Sequence, residues 1–424
     1  MQKTYEVKER SKKRVILVTI SLYEDRKKGW AQEDSQAEFT ELALSSGVKI
    51  LDHIITRVDE PKANFLLGKG KVSEIHDMVH SYEKDIDAVI FSENLSSTQQ
   101  RNLQEFLGVK TMDRTQIILD IFSQRAHTNE GKLQVELAQL EYLLPRLAGI
   151  GIKLSQLGGG IGTRGPGEKM IETDRRGVMR RIKYVKSELD DLSKRRKSLR
   201  QNRMDHSVAT VAVIGYTNAG KSTLLNKLTG SDILSDNRLF STLDLTSRKM
   251  ILPNNQKILL VDTVGFIHKL PHNLIEAFKA TLEEVKEADL LLHVLDISNP
   301  KANEHLNAVY EVLKEIDSYQ KPVVTALNKI DLVENNFVTE RFRRNITDSV
   351  AISAKDGTSL KALVDIIKKR IPVLMEKVDV LIPHSKMAVL NYIYEQGQIL
   401  ERKDTPEGVR VKAIIPLHLK SKLS

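Results

Sequence analysis

The sequence predicts an α/β protein of several domains, and three observations carry that reading. Short apolar strands alternate with helical patterns between Arg14 and Asp113. A run rich in Val, Ala and Ile from Ala209 stops at Gly215 and opens into G-x-x-x-x-G-K-S. Between these regions the apolar period lengthens to the three- and four-residue steps of long paired helices. The 424 residues suffice for two to four domains, each with its own core, and 41% hydrophobic with 29% charged residues describes a globular chain. No apolar run approaches the length of a membrane span. The first fourteen residues, MQKTYEVKERSKKR, are basic with no apolar core after them. A cytoplasmic protein without stable membrane insertion is expected. With no cysteine, disulfides and thiolate zinc sites are excluded.

Residues 1–113 read as a small α/β domain with a largely parallel sheet. Its strands are RVILVTI (14–20), VKILDHIITRV (48–58), DAVIF (87–91) and VKTMD (109–113), with helices around 37–46, 71–83 and 99–107. Gly68-Lys69-Gly70-Lys71 precedes one helix start. It is either a second phosphate site or a basic turn, and it lacks the longer glycine fingerprint.

Residues 114–205 carry two apolar seams. Ala126, Leu133, Leu137, Leu140, Leu144 and Leu147 form the first; Ile171, Val178, Ile182, Val185, Leu189, Leu192 and Leu199 form the second. Joined by one loop, they predict an antiparallel helical hairpin. The loop, 149–167, holds eight of the 22 glycines. It reads as a contact element or as a flexible spacer. The second helix concentrates charge, with thirteen basic residues against six acidic ones between Glu168 and Arg203. A solvated helix face is one explanation, and docking on a phosphate backbone is the other. Few aromatics accompany the charge, which suits shape-based RNA contact better than base stacking. Arg164, Arg175, Arg176, Arg180 and Arg181 are the candidate RNA contacts.

Residues 206–373 hold the chemistry. Gly215, Tyr216, Thr217, Asn218, Ala219 and Gly220 form a loop whose backbone N–H groups can turn toward phosphate oxygens. Lys221 places a point charge on the outer phosphates, Ser222 offers a hydroxyl to Mg2+, and Thr223 continues the helix start. Phe240, Ser241, Thr242, Leu243 and Asp244 suit a switch, with Thr242 completing magnesium and γ-phosphate contacts while a triphosphate is bound. A second strand ends in Asp262-Thr263-Val264-Gly265. There the carboxylate holds Mg2+ and the Gly265 N–H meets the γ-phosphate. A third ends in Asn328-Lys329-Ile330-Asp331, whose aspartate accepts from both donors on guanine and meets an acceptor on adenine. Lys329 is expected to cover the base, Asn328 to tie this loop to the first, and Ser353-Ala354-Lys355 to reach the guanine oxygen. The order of these motifs predicts a Ras-like P-loop GTPase domain binding GTP and GDP, with Lys221, Thr242 and Gly265 closest to the reaction. Many GTPases follow D-x-x-G with a glutamine that orients water. Phe266 stands here instead, so slow intrinsic hydrolysis is expected. His293, within DLLLHVLD, reads as a core histidine. Residues 374–424 read as a small α+β domain.

These residues resemble the HflX-type GTPases of the Obg-HflX group. GGGIGTRGPGE (158–168), ETDRR (172–176) and the Gly68–Lys71 stretch narrow the match beyond the guanine motifs. The resemblance implies a monomeric, stress-linked factor that binds the large ribosomal subunit in its GTP form. It also implies that the arm reaches toward rRNA near the peptidyl transferase centre, and that the factor splits or rescues stalled or idle ribosomes. A ribosome-assembly GTPase and an ATP-dependent RNA-remodelling factor remain as alternatives. The segment reads FSTLDLTSR where relatives commonly have FATLDPTTR, which allows a paralogue of the antibiotic-resistance type.

Overall fold

The computed structural model describes residues 12–416 apart from 28–29, 83–84, 156–165, 206–207, 231–238, 241–245, 268, 270, 272–273, 275–278 and 373–374. For 148–155, 166–172, 199–205, 279–281 and 395–396 it describes backbone only. The chain divides into two compact units: Met1–Lys186 with Pro271–Leu274, and Ser187–Leu270 with Ile275–Ser424.

In the first unit, β1 (Arg14–Leu22), β2 (Lys49–Val58), β3 (Ala88–Phe91) and β4 (Lys110–Met112) form a parallel sheet in the order β2-β1-β3-β4. The core residues of β1 and β3 are buried on both faces because helices cover the sheet on either side, so these strands read as unbroken apolar runs. The helices are α1 (Tyr23–Lys27), α2 (Gln32–Ser45), α3 (Lys69–Ser81), α4 (Ser97–Leu107) and α5 (Arg114–Arg125). Ser96 and Gln99 cap α4 reciprocally, and Asp113 caps α5 through the Gln116 N–H at 2.9 Å. The single tryptophan, Trp30, is buried in this unit, its backbone N–H donating to Asp25 O. Gly68 caps α3, and Lys71 pairs with Glu74 at 2.7 Å one turn on.

The two seams fall on α6 (Asn129–Ser155) and α7 (Pro166–Asp205), except Ala126, which ends α5 instead. The expected loop at 149–167 is shorter than its glycines suggest. Backbone hydrogen bonding carries α6 through Ser155 and resumes α7 at Pro166, since isolated glycines in a helix cost only about 1 kcal/mol each. The remaining segment lies outside the described residues. Arg181 meets Glu136 through two hydrogen bonds of 2.6 and 2.8 Å, and Lys186 meets Glu141 at 2.8 Å, joining α7 to α6. The base of α6 is fixed by Arg146, whose Nη2 donates to Leu95 O and Asp113 Oδ2 and whose Nε donates to Gln100 Oε1. Its guanidinium lies 3.5 Å from the centre of the Tyr142 ring.

The second unit is built on a six-stranded sheet in the order β10-β9-β8-β5-β7-β6, with only β6 antiparallel to its neighbour. Its strands are β5 (Ala209–Gly215), β6 (Thr246–Ile251), β7 (Lys257–Asp262), β8 (Leu290–Asp296), β9 (Val323–Asn328) and β10 (Ser349–Ala351). Helices α8 (Lys221–Thr229), α9 (Lys279–Glu287), α10 (Ala302–Glu315), α11 (Asn336–Asn345) and α12 (Leu360–Arg370) connect them. Strands β5 and β8 are neighbours, and the chain leaves β5 toward the β7-β6 side but leaves β8 toward β9. The crevice where ligands collect in such sheets therefore lies at the carboxyl end of β5. A second sheet, β11 (Met375–Pro383), β13 (Gly408–Pro416) and β12 (Gln398–Thr405), is antiparallel and covered on one face by α13 (Met387–Gln396). Leu390 and Ile393 of α13 pack there on Val409, Val411 and Ala413. Among the described residues no helix is long and apolar enough to cross a membrane.

Candidate guanine-nucleotide site

The carboxyl ends of β5, β7, β9 and β10 bring most of the expected residues together. Gly215 ends β5, Tyr216 to Gly220 turn, and Lys221, Ser222 and Thr223 begin α8. Gly220 has φ +95°, and a Cβ there would lie 2.4 Å from Asn328 Nδ2. Only glycine allows the loop to close on that asparagine.

Asn328 is the hub. Its Nδ2 donates to Ala219 O at 2.8 Å and its Oδ1 accepts from Ala354 N at 2.9 Å. One buried amide thus ties the phosphate loop to the Ser353-Ala354-Lys355 segment, beyond the single link expected. Ser353 is buried, and its Oγ accepts from Asp356 N at 3.2 Å, shaping the turn that leaves Lys355 exposed. Asp331 sits exposed in the helical turn Ile330–Leu332, free to meet a base edge.

Lys221 is 7% exposed, and its Nζ donates to Gly215 O at 3.2 Å and Tyr216 O at 2.8 Å. Burial pulls its pKa down to about 8, against the opposing pull of the Asp262 carboxylate. An ammonium held by two carbonyl dipoles is poised to exchange them for phosphate oxygens. Ser222 Oγ donates to Asp262 Oδ2 at 2.9 Å, and both residues are buried. A hydroxyl and a carboxylate in contact are hard oxygen donors of the kind Mg2+ prefers, so these residues fit that ion. Thr263 Oγ1 donates to Val213 O at 2.7 Å, pinning the end of β7 to β5, and Val264 is half-buried.

Gly265 is pressed against the phosphate loop: a Cβ there would lie 2.9 Å from Lys221 Nζ, Thr217 Cα and Thr217 Cγ2. The next residue, Phe266, is 4% exposed. Its carbonyl accepts from Thr217 N at 2.7 Å and its N–H donates to Gly215 O at 3.1 Å. The position that carries a water-orienting glutamine elsewhere is spent on packing and on a backbone seam. Phe240 is buried at 2% exposure, whereas Ser241, Thr242, Leu243 and Asp244 lie outside the described residues, as does Arg164. Arg175, Arg176 and Arg180 are exposed on α7, while Arg181 is engaged by Glu136.

Sequence reasoning missed two members of this neighbourhood. Asp296, at the end of β8, holds Lys329 Nζ at 2.7 Å. His305 of α10 stacks on Tyr216, the rings 3.8 Å apart and 8° from parallel. Neither lies in a recognisable motif, since the parallel sheet brings each alongside from a distant segment.

Four family descriptions match in the order of the fold. "GTP-binding GTPase N-terminal" covers 33–123, "GTP-binding GTPase Middle Region" 125–203, "50S ribosome-binding GTPase" 210–329 and "HflX C-terminal domain" 338–418. The GTPase HflX of Caldanaerobacter subterraneus subsp. tengcongensis is 45% identical over 415 residues, 98% of this chain and 94% of that one. The chain belongs to the HflX family of GTPases. The HflX of Lacrimispora saccharolytica is 43% identical over 100% of this chain and 98% of its own. That of Escherichia coli K12 is 42% identical over 84% and 82%. Likeness to the solved SsGBP complex with GDP is weaker, with a TM-score of 0.47 and 26% identity over 84% of this chain and 98% of that chain. The assignment to HflX rests on the sequence matches. As a member of that family this chain is a GTP-hydrolysing enzyme, and the expected α/β multidomain architecture with a P-loop GTPase domain is present.

Proposed function

We propose that this HflX GTPase binds the large ribosomal subunit in its GTP form and splits or rescues stalled or idle ribosomes under stress or antibiotic challenge, with hydrolysis driving its release. The observation that supports the site reading is the pair of hydrogen bonds by which Asn328 joins Ala219 of the phosphate loop to the Ala354 backbone. Gly215 to Gly220 cradle the phosphates, and Lys221 leaves its two carbonyls for the outer ones. Gly265 N–H and Thr242 answer the γ-phosphate, with Phe240 to Asp244 closing over it. Asp331 reads guanine, and Ser353-Ala354-Lys355 meets its oxygen. Ser222, Asp262 and Thr242 would hold Mg2+, which when bound neutralises charge on the phosphates.

The phenyl ring of Phe266, directly after Gly265, offers no hydrogen bond to orient water; it is buried and both its backbone groups are engaged. Slow turnover in isolation follows, with acceleration by a partner. The family description over 210–329 names 50S binding, and the basic exposed face of α7 fits rRNA phosphates near the peptidyl transferase centre. The protein acts as a cytoplasmic monomer on this reading.

GTP turnover with and without purified 50S subunits, alongside subunit splitting in a sucrose gradient, tests the proposal. Stimulation and splitting are expected. An unchanged rate would favour an assembly GTPase or an ATP-dependent RNA-remodelling factor. Lys221→Ala and Ser222→Ala should abolish nucleotide binding, and retained binding would refute the site.

A further inference from the structure

Lys329 enters the guanine loop with φ +64°, and its ammonium is already engaged. Nζ lies 2.7 Å from Asp296 Oδ2, the two side chains being 25% and 13% exposed. Asp296 ends β8 in register with Asn328 of β9, and Ile297 N donates to Asn328 O at 3.2 Å. The other carboxylate oxygen accepts from Ser298 N at 3.0 Å and Ser298 Oγ at 2.6 Å. The carboxylate is therefore fixed by its own turn before it meets the lysine.

We propose that Asp296, set by Ser298, is a positioning residue that holds the Lys329 stem as one wall of the guanine pocket before nucleotide arrives. The inference rests on the guanine-site reading above. A lysine side chain is among those with most rotamer freedom to lose when it is ordered against a ligand. Anchoring Nζ from the side removes that loss from the binding step, so the base meets a preordered apolar stem. Asp296 touches no nucleotide in this scheme and acts only through Lys329.

The expected signature is faster release without altered base choice. Stopped-flow chase of a fluorescent GDP derivative from the full chain should show Asp296→Asn dissociating about tenfold faster. Ser298→Ala should shift the rate in the same direction by less, and the preference for GDP over ADP should persist in both. Lys329→Met keeps the apolar stem and removes the ammonium, and in that background Asp296→Asn should add nothing. A parental release rate in Asp296→Asn, or accelerations that multiply in the double variant, overturns the inference. Asp331→Asn separates the two levels: it should move preference from GDP to xanthosine diphosphate. Unchanged GDP preference there brings down the guanine reading and this inference together, whereas the expected switch beside an inert Asp296→Asn brings down the inference alone.

Discussion

Gly265 and His293 show how narrowly single residues are constrained around the phosphate loop. A methyl group at Gly265 would meet Lys221 Nζ and the Thr217 backbone at 2.9 Å, and the backbone atom has little room to yield. Overpacking of this kind costs about 1–3 kcal/mol. Gly265→Ala should therefore weaken GTP binding by roughly ten- to a hundredfold, measured by titration calorimetry, with a cooperative melting transition retained. His293 lies in β8 at 1% exposure, and neither ring nitrogen meets a protein partner. Burial foremost, and then the charge of Lys221, pull its pKa down to about 3. As pH falls from 6.5 toward 3 the unfolded chain takes up this proton before the folded one, so stability is lost across that window. His293→Leu should flatten the fall in urea midpoint between pH 7 and about 4; an unchanged slope would assign the acid sensitivity elsewhere. At this scale the motif residues were legible, because phosphate and base loops admit few residue types at fixed spacing. Asp296 and His305 were not, because what selects them is a neighbour across the sheet.

The base of α6 depends on a side chain that no periodicity marks. Arg146 donates to Gln100, Leu95 O and Asp113, and Asp113 is fully buried with its carboxyl pushed above the usual range by desolvation. Removing the arginine leaves that carboxyl without the guanidinium that pairs with it. Arg146→Ala should lower stability by about 3 kcal/mol in urea denaturation, and adding Asp113→Asn should recover part of it. The seams that predict α6 and α7 are plain in the sequence because leucines recur on one helix face. Strand β6 escaped prediction, since TSRKMI is an edge strand with an exposed pattern that lacks an apolar run. Helices α9 to α12 also went unassigned, being interleaved with the motifs that draw attention first.

For the whole molecule, the order of elements was legible because each stretch has its own period: strands with helices, then seams, then motif-tipped strands. The net charge of +9 gains meaning from its placement on α7. If that face docks on rRNA, replacing Arg175 and Arg180 by alanine should weaken 50S binding. The same change should flatten the salt dependence of binding by roughly 0.7–0.9 logarithmic units for each phosphate no longer neutralised. Arg181→Ala should flatten it less, because Glu136 already occupies that guanidinium. Equal salt slopes in parent and variant would mean that the basic face is solvated and nothing more.

The lone tryptophan gives the protein a built-in optical label. Trp30 is buried in the first unit, while Lys221, Asp262, Asn328 and Asp331 all belong to the second. Indole emission therefore reports on the N-terminal sheet alone, uncontaminated by fluorophores of the same kind beside the nucleotide. A spectrum that differs between the GTP and GDP states would record news of the γ-phosphate arriving in the unit that holds Trp30, and an identical spectrum would confine the response to the loops that bind.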